Sequence, residues 1–201
     1  MTYKKDIELV FDAASFLPFH TKSTAAQPSN SRIDLWYIGN NRSLDPQLLT
    51  PTKEFFLQSI RDHIRGLPQS RTAVKTLLSA VSNSWNITLA VTSDIRLLRV
   101  NCPTDIEKTA DDSIVVKSTL LINALTTKVE IQIGLRTSAG EEGIEVAVTY
   151  AARVVYGERF NEPKMGAFLL DRCGDALGEE GMGWGDAVGE LGEKLLARGR
   201  K

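Results

Sequence analysis

Four side chains in this sequence could serve a metal or a covalent step: His20, His63, Cys102 and Cys173. Tetrahedral metal sites draw their ligands from closely spaced pairs, and these four stand far apart with no such pairing. A satisfied or surface imidazole is the better reading of both histidines. No Gly-x-Ser-x-Gly elbow, Walker loop, His-Glu-x-x-His or dinucleotide fingerprint occurs. The glycines of Gly181-Met182-Gly183-Trp184-Gly185 lack a following lysine, and Glu179, Glu180 and Asp186 would repel a phosphate, so they read as a joint. Asp111-Asp112 offers too few oxygen donors for a cation. Asn41-Arg42-Ser43 and Asn86-Ile87-Thr88 fit the glycosylation sequon, but no leader-like segment accompanies them. The inventory implies no enzyme, no cofactor and no metal.

Recognition through large apolar side chains is better represented. Trp85, Tyr156, Phe160, Met165 and Phe168 are the candidate partner-binding residues, although each could equally fill a core. Tyr156-Gly157-Glu158-Arg159-Phe160 is the most distinctive, because it leaves a long apolar strand and presents an aromatic in a charged turn.

The elements that must position these residues follow from periodicity. Ile7, Leu9 and Phe11 share one face of an extended segment, and Ile33 to Ile38 has the composition of a second strand after a long loop over 17–31. Thr50-Pro51 predicts a helix start, and Gly66 with Pro68 predicts its stop. A second helix opens at Ser70 and breaks at Ser82-Asn83-Ser84, and a third carries Ile87, Val91, Ile95 and Leu98 to a stop near Asn101 and Pro103. Past a polar stretch over 103–113 the period becomes two. Ile114 to Leu125 reads as a central strand, Val129 to Leu135 alternates strictly, and Ile144 to Tyr156 carries one unbroken apolar face. The short connections at 124–126 and 138–140 predict antiparallel pairing. Two helices follow: one from Asn161-Glu162-Pro163 with Met165, Phe168, Leu169 and Cys173, and one with Trp184, Val188, Leu191 and Leu195.

The order predicts an α+β protein of two tandem units, each an antiparallel sheet packed on helices: residues 1–82, incomplete and lacking an opening helix, and residues 83–201, ending in a glycine-rich tail helix. At 201 residues with 42% apolar and 24% charged side chains, the chain is long enough to bury a core without staples. Two unpatterned cysteines suit a reducing compartment, and no apolar run reaches the ~18 residues of a membrane span. Residues 1–100 hold twelve basic and eight acidic side chains, whereas residues 101–201 hold twelve basic and seventeen acidic. Without a concentrated basic stripe, nucleic acid is not an expected partner.

Taken together, Leu9-Val10-Phe11-Asp12, Ile33-Asp34-Leu35-Trp36-Tyr37-Ile38, Phe55-Phe56, Leu77-Leu78-x-x-Val81-Ser82-x-x-Trp85, Thr127-Lys128-Val129 and Val154-Val155-Tyr156-Gly157-Glu158-x-Phe160-Asn161-Glu162-x-Lys164-Met165 form a pattern. It resembles the C-terminal region of the fungal Spc-type (KNL family) kinetochore scaffold, over about residues 5 to 174. The resemblance implies a tandem pair of RWD domains that docks the scaffold onto the MIND complex by receiving the C-terminal tail of a MIND subunit, in the nucleus at the kinetochore. It further implies that the scaffold's long N-terminal region and coiled coil, with their own partners, precede residue 1. Many RWD domains carry a Tyr-Pro turn after the last strand, where this chain has Tyr156-Gly157.

Two other readings give different expectations. A helix across a curved sheet over 84–198 could enclose a small apolar ligand, for which Ala152 and Ser118 are the small inward residues. RWD domains are also similar in fold to ubiquitin-conjugating enzymes, which would make Cys102 a nucleophile, but it precedes the sheet and no His-Pro-Asn accompanies it.

Overall fold

Hydrophobic alternation near the N-terminus produces a small antiparallel sheet of β1 (Thr2–Tyr3), β2 (Ile7–Val10) and β3 (Asp34–Tyr37) in a computed structural model that describes residues 2–3, 7–10, 34–37, 46–67, 74–109, 113–175, 177 and 181–199. Ile7, Leu9 and Leu35 turn inward. β1 pairs with β2 as a third strand, where the sequence suggested only two. Phe11, Ile33, Ile38 and the loop over 17–31 lie outside the described residues, as do His20, Asp111-Asp112 and the sequon at Asn41.

α1 (Pro46–Gly66) starts one turn before the expected Thr50-Pro51. Pro46 takes the first helical position, where a missing N–H costs nothing, and Pro51 falls inside the helix. Phe55, Phe56, Leu57, Ile60 and Ile64 are its buried stripe. Arg61 donates to the carbonyl of Leu35 from both Nε (2.9 Å) and Nη2 (2.6 Å), which ties α1 to the first sheet.

α2 (Val74–Asn101) corrects the expected break at Ser82-Asn83-Ser84, because one helix runs through it and spans the 82/83 boundary. Its buried positions Leu77, Val81, Ser84, Thr88, Val91, Ile95 and Leu98 alternate steps of four and three without interruption. The buried hydroxyls of α2 are satisfied within the helix: Ser84 donates to the carbonyl of Ala80 (2.6 Å), Thr88 to that of Ser84 (2.9 Å) and Thr92 to that of Thr88 (2.7 Å). Polar residues that could have broken the helix therefore lie buried in it at little cost. Ser118, also buried, shares a hydrogen bond with Thr104.

The second sheet has four antiparallel strands in sequential order: β4 (Thr104–Lys108), β5 (Ile114–Ile122), β6 (Thr127–Ala139) and β7 (Ile144–Tyr156). β4 occupies what reads as a polar stretch in sequence, since Ile106 is its one aliphatic side chain. Val129, Ile131, Ile133 and Leu135 of β6 are buried as their alternation predicts, and so are Ile144, Val146, Val148 and Ala152 of β7. A pairing irregularity at Lys128/Val129 ends the apolar face of β7, leaving Val155 and Tyr156 exposed.

α2, α3 (Glu162–Cys173) and α4 (Trp184–Gly199) supply helical packing for this sheet, with Trp184, Val188, Leu191 and Leu195 buried on α4. Gly185 lets α4 approach α2 closely, since a β-carbon there would stand 3.3 Å from the backbone of Leu97. The buried apolar residues of both sheets and all four helices form one contiguous cluster with Trp85 fully enclosed. Among the described residues, no helix is long and apolar enough to cross a membrane.

Candidate functional site

The outer edge of β7 is where this fold could offer unpaired backbone to a partner, and α3 closes it. Asn161 caps α3 by accepting from the amide of Lys164 through Oδ1 (2.9 Å), with Pro163 in the first turn. That cap places Glu162 so that its Oε1 accepts from the amide of Val154 (2.8 Å). One turn on, Gly166 backs onto the carbonyl of Tyr150, where a β-carbon would stand 3.0 Å away. Past the helix, the carbonyl of Asp175 accepts from the amide of Val148 (2.8 Å). The edge from Val148 to Val154 is thus covered at three points, and adding a strand would require α3 to move. At the opposite edge, β4 is only five residues long and the amide of Ile106 is taken by Asp105 Oδ1 (2.8 Å).

What α3 leaves open is a groove of about 600 Å³ beside the edge. Ala147, Thr149 and Ala151 form one wall on the outer face of the sheet, and Pro163, Ala167 and Leu170 form the other. All six are exposed. Glu162 and Asp175 also line it, and among the described residues no cationic side chain does. The groove opens to solvent, unlike the enclosed cavity that an apolar-ligand carrier would need.

The helix wall is held from behind by polar contacts. Trp184 donates from Nε1 to the phenol oxygen of Tyr150 (3.2 Å), joining α4 to β7. Burial, with Cys173 and Asp94 nearby, pushes the Tyr150 phenol well above its ordinary range. Burial likewise raises the Cys173 thiol to about 11, so it stays protonated. Arg172 pairs with Glu190 (2.8 Å), and the ring of Phe168 lies under Lys194 (4.0 Å to its centroid) and Arg172 (5.5 Å).

The candidate partner-binding residues are not brought together. Trp85 and Met165 are core, at 0% and 3% exposed, and cannot touch a partner without rearrangement. Phe168 is half-buried between α3 and α4, Phe160 is half-buried against the core, and Tyr156 is exposed. None of the five lines the groove. Sequence reasoning that seeks large anchors misses a surface made of small ones; the available signal was alanine at 147, 151 and 152 in an otherwise β-branched strand.

The covalent candidates are equally placed. Cys102 is buried, its thiol pushed up mainly by that burial, with a hydrogen bond to Ser118 acting the other way. His63 is buried and its Nε2 has no partner among the described residues, which corrects the expectation of a satisfied or surface imidazole. Among the described residues, no group of three or more His, Cys, Asp or Glu could hold a metal.

Comparison with known proteins finds no matching curated protein and no matching solved structure. Against protein families, residues 1–92, which run from β1 into α2, match the Knl1 RWD C-terminal domain. The groove lies beyond the matched residues. Over those residues the match supports a kinetochore-scaffold RWD-type region, a kind of protein-interaction module.

Proposed function

We propose that this chain is the docking module by which a kinetochore scaffold receives the C-terminal tail of a MIND-complex subunit, and that the tail lies in the groove between β7 and α3. Residues 1–82 and 83–201 would be the two RWD-like units, sharing α2, and the place of work would be the kinetochore of the nucleus. The family match supports a protein-interaction module, and the closed edge of β7 favours a peptide lying in a groove over an added strand. The observation that carries the reading is a solvent-open groove with small apolar walls on rigid elements, which admits a peptide backbone closely.

Calorimetric titration of MIND-subunit tail peptides into the chain tests this. The expected result is saturable binding that Ala167→Trp, which fills the groove, abolishes while the fold is kept. Absence of heat and of competition at high micromolar peptide would overturn the partner, and binding untouched by Ala167→Trp would overturn the site.

A further inference from the structure

The charge of the groove narrows what can occupy it. Among the described lining residues the two charged ones, Glu162 and Asp175, are both acidic, and they stand at opposite ends. Glu162 meets β7 at Val154 and Asp175 meets it at Val148. Six residue steps of strand separate those points, about 20 Å. Between them the walls are alanine, threonine, proline and leucine, which supply contact area and no countercharge. The surrounding half of the sequence is itself acidic, with seventeen carboxylates against twelve basic residues over 101–201. A peptide placed there meets a negative potential at each end of an otherwise apolar channel.

We infer that the groove selects a peptide with small or apolar side chains at its centre and a lysine or arginine toward each end, the basic groups lying over Glu162 and Asp175. The inference rests on the groove being the docking site, and it specifies the chemistry of the occupant independently of which protein carries it. Among the described residues no cation pairs with either carboxylate: Glu162 contributes one oxygen to the amide of Val154, and Asp175 uses its backbone carbonyl, leaving its side chain out of that bond. Acidic peptides are disfavoured at both ends by the same charges.

The test selects random twelve-residue peptides displayed on phage against the intact chain, retaining those whose binding is lost on Ala167→Trp. Recovered peptides are expected to carry Lys or Arg toward their ends and few acidic residues. For a synthetic copy of one such peptide, Glu162→Gln and Asp175→Asn should each weaken binding by about two- to five-fold and reduce its salt dependence. Glutamine retains an oxygen for the amide of Val154, so the edge contact survives the change. Recovery of acidic or uncharged peptides, unchanged affinity in the doubly neutralised variant, or recovery of no groove-dependent peptide would each overturn the inference. If basic peptides bind the groove and MIND tails do not, the proposed partner fails and this inference stands.

Discussion

At the scale of single residues, the molecule places polar groups where burial decides their behaviour. His63 is buried on α1 with Nε2 unpartnered among the described residues, and desolvation lowers its pKa below the ordinary 6.5. As pH falls through about 6.5 the unfolded chain takes up a proton that the folded chain resists. The contribution of this group to stability is therefore complete above that pH and lost below it. Urea denaturation at pH 7.5 and 5.5 should show the wild type losing stability on acidification, and His63→Leu should lose less. Glycine substitutions separate packing from propensity. Gly189 faces open space in α4, so Gly189→Ala should stabilise by about 0.5–1 kcal/mol in the same assay. Gly166→Ala meets the backbone carbonyl of Tyr150 and should instead destabilise by about 1 kcal/mol or more as α3 is pushed off β7.

At the scale of elements, α2 shows what the sequence made legible and what it hid. The stripe Leu77, Val81, Ser84, Thr88, Val91, Ile95, Leu98 is unbroken, yet two of its seven members are hydroxyl residues that ordinarily favour caps and turns. Whether Ser84 breaks a helix or packs inside one depends on what it meets, and here its Oγ accepts from the amide of Ile144 (2.9 Å) on a strand sixty residues away. No local window contains that bond. Ser84→Ala leaves the buried amide of Ile144 without its partner and should cost about 1–3 kcal/mol in chemical denaturation. β4 was hidden for a related reason: one aliphatic side chain in five gives no alternation, and it is pairing with β5 that makes the segment a strand. By contrast β6, α3 and α4 were legible because alternation, an Asn-Glu-Pro start and a four-residue apolar stripe are local signals. The groove was illegible because its walls are small residues from two elements, distinguished from ordinary surface only by how α3 lies along β7.

At the scale of the whole molecule, the two sheets share one continuous apolar cluster and are bridged by α1, which holds Leu35 of β3 through Arg61 and Thr137 of β6 through Ser59 (2.8 Å). Two sheets joined in this way should unfold together. Intrinsic tryptophan emission and far-ultraviolet circular dichroism are expected to follow a single coincident urea transition, whereas two separated transitions would mean the two sheets unfold independently. Fully buried Trp85 sits on the shared helix, and Trp85→Ala should lower that single transition by about 3–5 kcal/mol. A rigid shared body suits a docking surface, because groove walls contributed by β7 and α3 are then held in place before any peptide arrives.

The most direct measurement is backbone amide hydrogen exchange of the intact chain with and without a MIND-subunit tail peptide. New protection is expected in β7 over 147–152 and in α3 over 163–170, with the rest of the molecule unchanged. Protection confined to other elements, or none at saturating peptide, would contradict it.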